Sequence, residues 1–210
     1  MTQNRKRLKS IATGLAISIT ALAYATPASA QEFDWSGFYL GMHTDYSFSK
    51  GKDVASAQKL KSKTFDLGLH TGYNIQWDSM ILGFEADFNP IVLSKKKRYG
   101  GAITQAYLSP LATTRLRVGY AMDRALLFGT GGLSFGSGSL KGGGKKSDKM
   151  HVGWVLGGGM EYAVNENWIL RGQYLYHNYG KAKNYKLLPT TRKVKYNAAH
   201  SLSLGVSYKF

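Results

Sequence analysis

Apolar residues fall on every second position through most of the stretch from Phe38 to Phe210. That alternation constrains the fold more than any other feature, because a period of two is the signature of a strand with two unlike faces. The runs are Phe38–Phe48, Phe65–Trp77, Leu82–Phe88, Leu108–Tyr120, Val152–Val164, Trp168–Tyr176 and Leu202–Phe210. Their apolar phase holds 41 positions and no charged residue. A chain with 19% charged residues would place about eight there by chance. The opposite phase carries Asp45, Asp66, Glu85, Asp87, Arg115, Arg117, Glu161, Arg171 and Lys209, five acids and four bases. A further run near Ala125–Phe135 is apolar on both phases, so its register cannot be set from the sequence. Pro110 is awkward inside a sheet and marks a bulge or a rim.

Connection lengths alternate as well. The links Asp78-Ser79, Met122-Asp123-Arg124 and Asn165-Glu166-Asn167 are tight. Those near Ser49–Lys63, Pro90–Gln105, Gly136–Met150 and Lys181–Lys195 are long. Tight turns on one side and long loops on the other, with apolar faces outwards and a polar lumen, describe an outer-membrane barrel. The expected fold is all-β: an eight-stranded antiparallel transmembrane β-barrel with strands of about ten residues. Aromatic residues at both strand ends fit two interfacial girdles. The absence of Cys excludes a disulfide scaffold, a zinc–thiolate site and an iron–sulfur centre.

The first thirty residues have a different character. A basic patch, Asn4–Lys9, precedes the uncharged run Ile11–Ala25 and then Ala28-Ser29-Ala30. This order predicts a secretory signal peptide over 1–30, cut between Ala30 and Gln31, with 31–210 as the barrel domain. A membrane anchor is the rival, but the run is short of the roughly 20 apolar residues a span needs. The mature chain then holds 24 bases and 12 acids, a net charge of +12.

That charge is unevenly placed. The four long connections hold 19 Lys and Arg, 17 of them Lys, and only Asp53 and Asp148 as acids. Their net charge is +17, including Lys59, Lys61, Lys63, Lys95, Lys96, Lys97, Arg98, Lys145, Lys146, Lys193 and Lys195. Such a field draws anions loosely, since Lys is a flexible point charge. The partners it suits are lipopolysaccharide phosphates, host-surface polyanions or haem propionates. Solvated loops with no ligand are the plainer reading. A nucleic-acid role for Lys95–Arg98 conflicts with export.

Inside, Asp45, Asp66, Glu85, Asp87, Arg115, Arg117, Glu161 and Arg171 are expected to form a paired lumen network, because an unpaired buried charge is expensive. An eight-stranded barrel has room for side chains and not for a wide channel. His43 and His70 fall on neighbouring strands and are candidate haem ligands, although a lumen histidine is most often just another polar residue. Gly129-Thr130-Gly131-Gly132 and Gly157-Gly158-Gly159 are not phosphate loops, since no helix follows either. No catalytic constellation emerges, and the reading is of a protein that is not an enzyme and carries no metal.

Several motifs resemble the alphaproteobacterial outer-membrane immunogenic protein family, also called the RopB family, which is related to haemin-binding porin-like proteins. They are Trp35-Ser36-Gly37-Phe38-Tyr39-Leu40-Gly41, Thr114-Arg115-Leu116-Arg117-Val118-Gly119-Tyr120, Gly129–Leu133, Val152-Gly153-Trp154 with Gly157–Tyr162, Asn167–Tyr176 with Tyr179-Gly180, and Leu204–Phe210. The terminal Phe210, with Tyr208 on the same face, resembles the signal read by the barrel-assembly machinery. One departure is Gln173, where the family usually has Glu. The reading is of an envelope protein of the cell outer membrane that contacts lipid, lipopolysaccharide and, on the other side, peptidoglycan, and the resemblance implies that it is also a surface antigen. A haemin-binding surface protein and a small porin are the two alternatives.

Overall fold

The computed structural model of the chain describes residues 33–53, 59–94, 105–142, 145–180, 183–187 and 190–210. Residues 1–32, and with them the signal segment and its Ala30–Gln31 cleavage site, lie outside the described residues. Nine strands are described: β1 (Gly37–Asp53), β2 (Lys59–Trp77), β3 (Met80–Ser94), β4 (Gln105–Met122), β5 (Ala125–Gly142), β6 (Lys145–Ala163), β7 (Trp168–Asn178), β8 (Lys183–Leu187) and β9 (Thr190–Lys209). Each of β1 to β7 pairs antiparallel with the next, β7 pairs with β9, and β9 returns to β1. Eight strands therefore close a barrel, and β8 is a short extra strand paired to the start of β9. Closure removes the sheet edges that a membrane could not tolerate.

Polarity is inverted relative to a water-soluble protein. Leu204 is 68% exposed and Met42 63%, while Glu85 and Arg115 are each 1% exposed. The apolar phase read from the sequence faces outwards in each of the seven runs, except where bulges shift it. One bulge lies in β3, where the register slips between Leu67/Leu69 of β2 and Phe88 and Ile91 of β3. Asn89 keeps the inward phase of Glu85 and Asp87, and beyond it the outward set moves to Ile91 and Leu93. A second lies between Pro110 and Ala112, where proline cannot donate to the ladder, and a third where Lys50 and Gly51 of β1 pair with Ala198 and Tyr196 of β9.

Two expectations are revised and one open register is settled. The strands run to 15–20 residues, apart from β7 and β8, and not to ten. The connections taken as long loops are largely continuations of those strands, with β1 paired to β2 as far as Lys52↔Lys59. The ambiguous fifth run points Leu127, Gly129 and Leu133 outwards and Leu126, Phe128 and Thr130 inwards. On the turn side, Asp78 and Asp123 adopt left-handed φ of 50° and 52°, a conformation Asp tolerates better than most residues.

Candidate functional site

The lumen is filled in three levels. At the turn-side end, Phe33 and Trp35 of the segment preceding β1 tuck under the barrel and pack with Ile81, Ala121, Leu126, Ala163 and Ile169. Trp35 is pinned by polar bonds: its backbone N–H donates to Gln76 Oε1 at 2.8 Å and its indole N–H to the Asp123 carbonyl at 3.3 Å. The sequence reading gave Trp35 no such role. Its partners come from three other hairpins, and no local signal marks them.

The middle level is ionic. The inward positions of β3, β4, β6 and β7 bring together three carboxylates and three guanidiniums. Glu85 is the hub. It pairs with Arg115, with Arg171 Nη2 at 2.6 Å and with Arg117 Nη1 at 3.3 Å. Arg115 also reaches Asp87 Oδ2 at 2.6 Å, and Arg117 Nη2 reaches Glu161 Oε2 at 2.7 Å. The Tyr39 hydroxyl donates to Glu85 Oε2 at 2.7 Å and accepts from Arg117 at 2.9 Å. Arg117 lies over the Phe128 ring at 4.2 Å, a cation–π contact on an otherwise apolar inward residue. The set is electroneutral. Gln173 accepts from Arg171 at 3.0 Å, so its neutral amide joins the network without upsetting that balance. Gly72 is required beneath Tyr39, because a Cβ there would meet the phenol ring at 2.5 Å.

Asp45 and Asp66 lie apart from this hub, in a third level nearer the loops. Asp66 accepts from Ser109 at 2.9 Å and from Thr64 at 3.1 Å. Asn89 donates to Asp45 at 3.0 Å and to the Pro110 carbonyl at 3.3 Å, which fixes its amide orientation. Its Oδ1 must then accept from His43 Nε2, at 2.8 Å. In neutral rings this leaves His43 Nδ1 to accept from His70 Nδ1, 3.1 Å away, and His70 Nε2 to accept from Ser207 at 2.7 Å. The two candidate haem ligands are thus adjacent and buried, with their facing nitrogens spent on each other. No group of three or more His, Asp or Glu placed to hold a metal ion occurs among the described residues. His177 and Tyr179, which share Ser134, complete the level.

The basic residues occupy the loop-side strand ends. Lys59, Lys61 and Lys63 are on β2, Lys145 and Lys146 on β6, and Lys193 and Lys195 on β9. Lys95, Lys96, Lys97 and Arg98 lie outside the described residues. The ladder sets Lys50 opposite Lys61, Lys52 opposite both Lys59 and Lys195, and Lys141 opposite Lys146. Lys146 also pairs with Asp148 at 2.9 Å. At the other end, the Phe210 N–H donates to the Phe38 carbonyl at 3.0 Å, and Tyr208 packs between Trp168 and Phe210.

Comparison with known proteins agrees with this architecture. The 31 kDa outer-membrane immunogenic protein of Brucella melitensis is 31% identical over 214 residues, covering 88% of each chain. The 25 kDa outer-membrane immunogenic protein of Brucella abortus is 30% identical, covering 86% of this chain and 82% of its own. Among solved structures, the outer membrane protein OprG of Pseudomonas aeruginosa superposes with a TM-score of 0.54 at 15% identity, over 83% of this chain and 96% of that one. That last likeness is one of fold alone. Residues 15–210 match the outer membrane protein beta-barrel domain, and the chain belongs to that family of outer-membrane barrels.

Proposed function

We propose that this protein is a structural and interfacial component of the outer membrane, and no enzyme, whose basic loop-side surface holds anionic groups of the envelope or of a host surface. Residues 1–30 serve as its export signal, and Tyr208–Phe210 as the mark by which the assembly machinery takes it up. The observation that carries the reading is the lysine-on-lysine register above the membrane. Like charges directly opposite one another in a sheet are destabilising. Three such pairs, on β1, β2 and β9, persist where a few Glu substitutions would relieve them, while Asp148 offsets the fourth. Bound polyanion removes that penalty, and lipopolysaccharide phosphates are the most abundant source at that height.

The filled lumen supports this reading over a small porin, because an apolar layer and an ionic layer stand in series inside the barrel among the described residues. A haemin-binding role through His43 and His70 requires the ring pair to separate. The test is binding of the refolded barrel to lipopolysaccharide and to heparin at increasing salt. Loop-side binding predicts affinity that falls steeply with ionic strength. It also predicts loss on changing Lys59, Lys61, Lys193 and Lys195 together to Ser. Salt-independent binding, or binding unaffected by that variant, overturns the proposal.

A further inference from the structure

The outer wall of β1, β2, β7 and β9 carries a polar group where the neighbouring wall is apolar. His200 faces outwards, one step above Leu202. Its ring stacks on Phe48 with centroids 4.9 Å apart and planes 9° apart, and lies edge-on to Tyr176 at 5.2 Å. Its Nδ1 is bonded to the Tyr174 hydroxyl at 2.5 Å. The far ring nitrogen, Nε2, has no hydrogen-bond partner among the described residues. The ladder continues this row: His200 opposes Phe48, and Phe48 opposes Lys63. Lys63 is exposed and makes no ion pair among the described residues. The outward faces of β1, β2, β7 and β9 hold no carboxylate among the described residues.

Height places the row at a boundary. Phe38 and Phe48 are the lower and upper aromatic residues of the outward face of β1. Ten residues at about 3.3 Å each, tilted by about 40°, span about 25 Å, the height of a barrel's apolar band. Lys63 is 14 residues from the turn-side end of β2 and His200 nine from that of β9. The row therefore climbs towards β2, and two strand spacings of about 4.8 Å at that tilt put Lys63 about 6 Å above His200. Lys63 stands at headgroup level, and His200 just inside the hydrocarbon border.

Directly beneath lies a groove of about 500 Å³ walled by Tyr46, Phe65, Tyr174, Leu202 and Leu204. Its floor is open because Gly158 and Gly172 offer no side chain. A second groove of about 530 Å³ shares Thr44 and Leu204 with it. An apolar trough, a ring nitrogen at the border and an unpaired ammonium above it match the three zones of a phosphorylated lipid. We infer that this wall is a specific site for one phosphorylated lipid of the outer leaflet. Its acyl chain lies in the Gly158–Gly172 groove, its ester or amide linkage meets His200 Nε2–H, and its phosphate meets Lys63. The site uses Lys63 from the basic set but none of the lysines varied in the loop-side test, so either proposal can fail without the other.

The experiment is native mass spectrometry of the refolded barrel released from detergent. Bis-phosphorylated lipid A is the probe, with its dephosphorylated form and phosphatidylcholine as comparisons. Heat-dependent gel migration confirms that each variant is folded. The expected result is one tightly held lipid A, at least about tenfold weaker in His200→Phe with Lys63→Gln, since a charge-assisted contact is being removed. Gly172→Leu fills the groove without strain, because a Cβ there meets only Leu204 Cδ2 at 3.7 Å. It should release the lipid equally while leaving both polar groups in place. Inorganic phosphate should not displace the lipid, which separates a lipid site from an anion site. Equal retention of the dephosphorylated lipid, displacement by phosphate, or unchanged binding in both variants overturns the inference.

Discussion

Glu85 is the residue on which the lumen network depends most, and Glu85→Gln isolates that dependence. The change keeps shape and removes one charge from a site that is 1% exposed. Three guanidiniums would then share only Asp87 and Glu161, a net charge of +1 within the network. Removing one partner of a buried ion pair costs about 3–5 kcal/mol. Glu85 serves Arg115, Arg117 and Arg171 together, so the upper end, about 5 kcal/mol, is expected. Arg171→Gln added to Glu85→Gln restores two charges of each sign. The double variant should therefore recover about 2 kcal/mol, as coupled neighbours do in a cycle. Glu166→Gln, at an exposed residue that ion-pairs with the half-buried Arg124 at 3.6 Å, should change stability by less than about 0.5 kcal/mol. The assay is urea unfolding of the barrel in phosphatidylcholine vesicles, followed by tryptophan emission. A Glu85→Gln loss below about 1 kcal/mol, or a double variant no more stable than the single, would refute the argument that charge balance holds the lumen.

Leu204→Arg, on the lipid wall near mid-height, should cost about 2–4 kcal/mol in the same assay, whereas a water-facing site would show almost nothing. Trp35→Ala should cost about 3–5 kcal/mol by urea midpoint, because it empties the turn-side plug. Tyr39→Phe leaves Glu85 and Arg117 each short of one bond and should cost about 1–3 kcal/mol by urea midpoint. Haemin titrated into the folded barrel should give no saturable Soret shift that depends on His43 and His70. A shift abolished by His43→Ala with His70→Ala would reverse the reading of that pair as structural.

Much of the barrel was legible because a membrane enforces the strand alternation on both faces at once. The outward face must be apolar over its whole height, and the inward face collects the charges, so Asp45, Glu85, Arg115, Arg117 and Glu161 could be placed inside from phase alone. Phase says nothing about which inward residues meet. Tyr39 joins the network only because β1 and β3 flank β2, and an aromatic on the polar phase carries no sign of charge to reveal it. His43 and His70 lie two positions out of register, since Gly41 is the residue opposite His70. Only the rings, leaning towards each other, close that gap. Bulges were half legible: Pro110 announced one, while the slip at Asn89–Pro90 became visible only through the pairing of β2 with β3. The loop lengths misled because an extended hairpin above a membrane is polar on both faces and loses the alternation that marks a strand.

The ambiguity of β5 explains why the lumen is ionic at all. Leu126, Leu127, Phe128 and Leu133 give that strand no preference for either face, and a slip of one residue would turn every side chain to the other side. Replacing buried ion pairs by apolar residues of similar volume is often no loss in stability. An apolar lumen would therefore not be weaker, but it would leave every strand as undecided as β5. With Arg115 and Arg117 on β4 and Glu161 on β6, the strands on either side of β5 have one face that cannot meet lipid. The guanidiniums of Arg117 and Arg171, 4.2 and 5.3 Å from the Phe128 ring, then hold the uncommitted strand in the same sense. Charge inside this barrel fixes which way the sheet closes, and because every guanidinium there is matched by a carboxylate, the surplus of positive charge falls to the loop-side rim, where an anionic membrane surface can use it.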